Sequence, residues 1–346
     1  EVLLQLIARS KSNGVINRFV DALTEIDGAY ALVALTDDKL IGARDPLGIR
    51  PLILGKLENR FILSSETCAL DIIGAKFVRE VKNGEVVVIS VDGIKSYKPF
   101  PKKPERPCIF EYIYFARPDS IVGGKSIYEC RKGFGRELAN ESNVEADMVI
   151  PIPDSGVPSA IGYAEQAGIP FELGITRNHY VGRTFIQPKQ SIRSFGVRLK
   201  HNANRTLVAG KRIVLIDDSI VRGTTSVKIV QMMREAGAKE IHFRVSSPPI
   251  THSDFYGIDT PSKDQLLAST KSVDEMCEYL GADSLAFLSI EGIYQALGHK
   301  DGRNADCPQY TDHCFTGDYP TLLEDESGGE LNSQLSFLSM AEPHEH

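Results

Sequence analysis

Residues 214–226 read VLIDDSIVRGTTS. An apolar run ends in two adjacent carboxylates, and an arginine, a glycine and a cluster of hydroxyls follow. The run has the length and composition of a buried strand, and the stretch after it, TSVKIVQMMREAG, has helical spacing. A strand that turns into a helix places Asp217 and Asp218 beyond the strand's carboxyl end, where parallel α/β sheets bind their ligands. The backbone N–H groups of residues 219–225 and the start of the helix can receive a phosphate. Gly223 allows close backbone approach, while Arg222, Thr224, Thr225 and Ser226 add donors. The carboxylates would repel that phosphate, so the ligand must carry phosphate at one place and hydroxyls or a metal ion at another. No Gly-Lys-Ser/Thr follows and the glycine spacing of a dinucleotide fingerprint is absent, which excludes both of those loops. The competing reading makes Asp218 or Ser219 a helix cap and Arg222 a surface residue.

Outward from this stretch, strands and helices alternate. The helix SIYECRKGFGRELAN leads to the strand DMVIPIP, and after the turn DSG come the helix VPSAIGYAEQAG and a short strand, FELGI. A long polar segment precedes RIVLI, and EIHFRVSS follows the helix after it. Such alternation predicts a parallel sheet covered on both faces. Residues 1–24 show helical apolar spacing. From residue 29 to about 94 the runs AYALVAL, PLILG, RFILSS and EVVVIS are separated by turn chemistry, which predicts an antiparallel α+β unit. The proline-rich KPFPKKPERP lies near the boundary between the two. The expected division is residues 1–110, residues 111–323 and an acidic, Gly/Ser-rich tail at 324–346 that is flexible.

The chain has 346 residues, long enough for two domains. Its 39 Lys+Arg and 46 Asp+Glu give a net charge of −7, which argues against broad nucleic-acid binding. No apolar stretch approaches the ~20 residues that span a bilayer, and no signal peptide is evident, so the expected location is cytoplasmic. The six cysteines are scattered without a CxxC pair, so free buried thiols are expected rather than a zinc site or a disulfide framework.

Two acids after an apolar strand, then Arg-Gly-Thr-Thr and a helix, resemble the phosphoribosyl pyrophosphate (PRPP) signature of type I phosphoribosyltransferases. The resemblance implies that Asp217 and Asp218 face the ribose hydroxyls and a Mg²⁺ ion, with Ser155 near the metal. It also implies that Arg222, Gly223, Thr224, Thr225 and Ser226 wrap the 5-phosphate. Pro153-Asp154-Ser155-Gly156 matches the diphosphate-binding turn through Asp154, Ser155 and Gly156, although Asp154 or Ser155 would serve equally as an ordinary helix cap. Residues 177–205 carry several arginines and lysines and match a lid that closes over the diphosphate and excludes water, with Tyr180 among its PRPP contacts.

Further motifs narrow the resemblance to the glutamine PRPP amidotransferase family. They are HYVGRTFI at 179–186, PCIFEYIYFARPDS at 107–120, SPPITHSDFYGIDTP at 247–261 and FTGDYPT at 315–321. GARDPLGIRPL at 42–52 and FILSSETCALDIIGAKFVREV at 61–81 resemble the family's glutaminase domain, an N-terminal-nucleophile fold. The family commits PRPP to purine synthesis: ammonia released from glutamine displaces diphosphate from C1 to give phosphoribosylamine. Arg183 and Lys200 would stabilise the leaving diphosphate beside Asp217 and Asp218. Tyr114, Arg183, Phe185 and Ile186 would help form the ammonia path. A homo-oligomer and feedback inhibition by purine nucleotides are implied as well.

The pattern departs from the family in two places. Residue 1 is Glu and no cysteine precedes Cys68, whereas the family's nucleophile is an N-terminal cysteine whose α-amino group is the base. The expectation is a truncated glutaminase half, transfer that depends on free ammonia only, and poor solubility for residues 1–100 alone. Cys68 is expected to be a packing residue on a short helix. Some members hold a [4Fe–4S] cluster on four cysteines; here Cys108 and Cys314 match, but Asp254 and Thr311 stand at the other two places, so no cluster is expected. Two alternatives stay open, a salvage base phosphoribosyltransferase and a PRPP-sensing regulator. The first would not need residues 1–100, and the second would lack the lid and carry a DNA-binding domain.

Overall fold

In the computed structural model, which describes residues 2–178, 201–321 and 323, the strand that ends in Asp217 sits second in a four-stranded parallel sheet. The order is Met148–Pro151, Arg212–Asp217, Glu240–Val245 and Ser284–Phe287. Side chains alternate across a strand, and the sheet divides accordingly. Val149, Val214 and Ile216 pack on one side with Phe134, Leu138 and Tyr163 from the helices Ile127–Ser142 and Val157–Ala167. Ile150, Ile213, Leu215 and Phe243 pack on the other with Ile229, Met233 and Met276 from Thr224–Glu235 and Val273–Leu280. Both faces are therefore covered, as the unbroken apolar strands require.

The FELGI segment departs from its expected strand. Only Phe171 bridges Val149, in parallel, on the open side of the first strand. Gly174 then turns the chain away through a bond from its N–H to Glu172 O at 3.0 Å. A Cβ at Gly174 would lie 2.4 Å from Ile150 Cδ1, so the turn packs directly on the sheet. The strand resumes as Ile175–Arg177 in a separate antiparallel ribbon with His201–Ala203. The chain thus steps both ways from Met148–Pro151, and the topological switch point lies between that strand and Arg212–Asp217.

The first part of the chain holds two antiparallel sheets, in agreement with its turn-punctuated texture. One is ordered Ala31–Leu35, Leu40–Arg44, Val86–Ser90, Gly93–Tyr97; the other is Arg60–Ser64, Ile53–Leu57, Lys76–Glu80. Phe19 and Leu23 of the helix Val15–Thr24 cover Ile41, Ala43, Val86 and Val88. The sheets meet so closely that a Cβ on Gly42 would sit 2.6 Å from Leu63 Cδ1. Leu35, 81% exposed, and Phe77, 51% exposed, lie on strands at sheet edges. Leu47 and Ile49 leave this unit to join the core of the second, where Ile49 O accepts from Cys108 N at 3.0 Å.

All six cysteines are free; Cys68, Cys108, Cys130 and Cys314 are buried, Cys277 is half-buried and Cys307 is exposed. The expectation of buried thiols therefore fails at Cys307, which lies in a loop. Cys68 packs on the short helix Thr67–Ile72. No helix among the described residues is long and apolar enough to cross a membrane.

Candidate functional site

The central strand carries Asp217 and Asp218 to the switch point. Ile216 O accepts from Ile152 N at 2.8 Å, which draws the end of the neighbouring strand alongside. The turn at Pro153-Asp154-Ser155-Gly156 then folds over the strand end. A Cβ at Gly156 would lie 2.5 Å from Ile216 O, so only glycine permits this approach. The peptide between Pro153 and Asp154 is cis. The turn brings Ser155 within hydrogen-bonding reach of the Asp218 carboxylate. Asp154 points elsewhere, accepting from Arg177 Nη1.

Asp218 is buried, and Ser219 Oγ donates to its Oδ1 at 2.7 Å; Asp217 Oδ1 accepts from the Asp218 N–H at 3.0 Å. Burial and the adjacent Asp218 carboxylate push Asp217 well above the usual carboxylate range. Burial also raises Asp218, against the opposing pull of hydrogen bonds from Ser155 and Ser219 and the charge of Arg131. A half-buried carboxylate beside a buried one, with the second disfavouring the first's ionisation, calls for a cation. The nearby donors are oxygens, from Asp217, Asp218 and Ser155, which suits Mg²⁺. Among the described residues no cluster of three or more His, Cys, Asp or Glu side chains is arranged to hold a metal. A cation here would therefore take its remaining ligands from water or substrate, as Mg²⁺ commonly does.

The next helix begins without a side-chain cap. Gly223, in the left-handed region at φ 72°, is its N-cap residue. A Cβ on Gly223 would meet Leu267 Cδ2 at 2.7 Å, and Leu267 N donates to Val221 O at 2.9 Å, so the segment behind fixes the loop's shape. Thr224 and Thr225 are exposed and Ser226 is buried. The first N–H groups of a helix have no intrahelical acceptor and, uncapped, stay available to an anion. Arg222 is exposed and donates from Nη2 to Gln265 Oε1 at 3.0 Å. Neither Asp218 nor Ser219 caps this helix, and Gly156 rather than Asp154 or Ser155 is the N-cap residue of Val157–Ala167. The structure thus contradicts both capping readings.

Two features escaped the sequence. One is Arg131, buried on the helix Ile127–Ser142, where it falls on the same stripe as Ile127, Phe134 and Leu138. An arginine placed on an apolar stripe is the signal that identifies it. The other is the wide helical turn Glu111–Phe115, closed by a bond from Ala116 N to Glu111 O five residues back, which carries Tyr114. Arg50 reaches this turn from the antiparallel unit, donating to Glu111 Oε1 at 3.0 Å and lying 5.7 Å from the Phe115 ring centre. Tyr180, Arg183, Phe185, Ile186 and Lys200 lie outside the described residues, and so does the tail.

The four positions compared with cluster ligands come together beneath this junction. Cys108 bridges Thr311 in parallel, and Cys108 and Asp254 both act electrostatically on Cys314. Asp254 is already engaged: Oδ1 accepts from Tyr256 N and Ile258 N, each at 2.8 Å, and Oδ2 lies 2.9 Å from His313 Nε2. Thr311 Oγ1 donates to Arg106 O at 2.6 Å. Burial pushes the Cys108 thiol up to about 12 and raises Cys314 well above its ordinary value. Two thiols and two oxygen side chains already committed elsewhere do not supply the four thiolates of a [4Fe–4S] cluster.

Comparison with known proteins adds an independent observation. Residues 126–248 match the phosphoribosyl transferase domain family, and residues 1–71 match the glutamine amidotransferase domain family. The chain is 59% identical over 345 residues to an amidophosphoribosyltransferase of Rhizobium etli, covering 98% of this chain and 69% of that protein. It is 53% identical to the chloroplastic amidophosphoribosyltransferase 1 of Arabidopsis thaliana, but spans only 56% of that protein's length. Among solved structures, the glutamine PRPP amidotransferase of B. subtilis complexed with ADP and GMP superposes with a TM-score of 0.85 at 48% identity, over 92% of this chain and 70% of the other.

Proposed function

The chain belongs to the amidophosphoribosyltransferase family, transferases of purine biosynthesis, and from that membership we propose that its parallel-sheet domain, residues 111–323, forms 5-phosphoribosylamine and diphosphate from PRPP and ammonia. The observation that carries this reading is the adjacent acids Asp217, half-buried, and Asp218, buried, held at the switch point beside Ser155 and followed by an uncapped helix start. Asp217 and Asp218 would hold the ribose diol. Residues 222–226 would hold the 5-phosphate, and the turn at Asp154, Ser155 and Gly156 the diphosphate. Mg²⁺, held by Asp217, Asp218 and Ser155 with water and substrate oxygens, would supply charge neutralisation on the diphosphate.

The bond made is C1–N and the bond broken is C1–O to diphosphate; the new amine then sheds a proton to solvent. Neutral ammonia is already a nucleophile, so the site needs fixed geometry and charge stabilisation more than a strong base. Arg183 and Lys200 would add positive charge at the leaving group, Tyr180 a PRPP contact, and Tyr114, Arg183, Phe185 and Ile186 the ammonia route. Residues 1–110 would form part of the glutaminase domain. A purine nucleotide's phosphate fits the same 222–226 loop, so competition with PRPP is the expected form of feedback. We place the protein in the cytoplasm as a homo-oligomer.

The test is diphosphate release from PRPP with ammonium, glutamine or a purine base as acceptor. Release with ammonium supports the assignment. Release only with a base would establish a salvage enzyme, and PRPP binding without any turnover would establish a sensor.

A further inference from the structure

Arg131 is 3% exposed, yet its guanidinium makes two directed bonds: Nε to Tyr112 O at 3.0 Å and Nη2 to Ala116 O at 2.7 Å. These carbonyls flank Tyr114 on the turn Glu111–Phe115. A planar fork that spans two carbonyls fixes orientation as well as position. The Asp218 carboxylate and the Tyr114 phenol both lie within electrostatic reach of the same guanidinium.

The arginine is itself held from the diphosphate side. Ser159 Oγ, in the first turn of the helix that follows the Pro153-Asp154-Ser155-Gly156 turn, donates to Arg131 O at 3.1 Å. Around that bond the two helices touch backbone to backbone. A Cβ on Gly135 would lie 1.9 Å from Ser159 O, and one on Gly162 would lie 2.0 Å from Lys132 O. Contact this close allows no sliding between them. The turn before one helix and the arginine on the other therefore move as one piece.

We infer that Arg131 is a positioning residue that sets the Tyr114 turn, on the acceptor side, in register with the acid pair and diphosphate turn on the donor side. It acts through Tyr112 O and Ala116 O and does not itself contact substrate. The inference rests on the PRPP–ammonia reading of the site.

Arg131→Lys tests it, because lysine keeps the charge facing Asp218 but cannot span two carbonyls as the fork does. Arg244→Lys is the control. Arg244 is another buried arginine of this domain, bonded from Nε to Ser142 O at 2.9 Å and from Nη1 to Ser284 Oγ at 3.0 Å, and it belongs to no part of the site. Diphosphate release is measured with ammonium varied at saturating PRPP, and then with PRPP varied at saturating ammonium.

Arg131→Lys is expected to lower kcat/KM for ammonium about tenfold while the KM for PRPP stays within about twofold. Arg244→Lys is expected to leave both within about twofold. An unchanged ammonium kcat/KM in Arg131→Lys overturns the inference. So does a loss shared equally with PRPP and with Arg244→Lys. If Arg131→Lys does not fold, Ser159→Ala decides: a fall of about two- to threefold in ammonium kcat/KM supports the inference, and no change overturns it. A wild-type chain that releases no diphosphate with ammonium sinks the reading of the site and this inference with it. An active wild type with unchanged variants sinks this inference alone.

Discussion

Asp217, half-buried, and Asp218, buried, stand at the strand end and Asp254 lies buried beneath the domain junction, yet their surroundings pull these carboxylates in opposite directions. Burial raises all three. At Asp254 the His313 ring, two backbone N–H groups and the His313 charge outweigh burial and hold the carboxyl below the usual range. At Asp217 the nearest charge is another carboxylate, and burial wins. A buried acid with its partners supplied by the fold is scaffold. An acid whose nearest charge is a second acid is a candidate for holding a ligand cation.

The largest expected effect is at the strand-end pair. Asp217→Asn should lower kcat/KM for PRPP by about 10³-fold, as loss of a preorganised electrostatic contact does. The same substitution should raise the Tm measured without Mg²⁺ by about 2 °C, because a carboxylate with a raised folded pKa opposes folding at neutral pH. A fall in both would erase the contrast with Asp254.

Asp254→Asn should do the reverse, costing about 3 kcal/mol of stability while leaving the KM for PRPP unchanged. The sign with pH follows from the direction of the shift. A depressed folded pKa gives stabilisation that is fully present above the ordinary value of 3.8 and is lost as pH falls through the lower folded value. Tm curves for wild type and Asp254→Asn should therefore converge in strong acid and stay separated at neutral pH.

Smaller effects sharpen the phosphate end. Arg222→Ala should raise the KM for PRPP about tenfold, with stability within about 0.5 kcal/mol because the side chain is exposed. Gln265→Ala removes only the exposed partner of Arg222, and should raise that KM about twofold.

Much of the parallel domain was legible in the residues. Strands such as RIVLI are unbroken apolar runs, and the helices between them show 3.6-residue spacing, so order and type follow from periodicity. FELGI was not legible, because a short apolar run does not say whether its glycine will let it continue along the sheet or turn off it. Asp217, Asp218 and the 222–226 loop could be singled out as candidates because strand-end acids and a Gly-Thr-Thr turn have local meaning, whereas Ser155 came only from the resemblance. Arg131 has none: its role arises from carbonyls of Tyr112 and Ala116, on another element. Gly135 and Gly162 left a trace as glycines inside helices, but only the crossing shows that they meet.

The central claim, that the strand-end acids hold a cation-bound sugar diphosphate, is tested most directly by calorimetric titration of PRPP with Mg²⁺ into the wild-type chain and into Asp217→Asn. The account predicts binding by the wild type and a loss of at least about a hundredfold in the variant, which should itself be the more heat-stable protein without ligand. Equal PRPP affinity in the two proteins would contradict it.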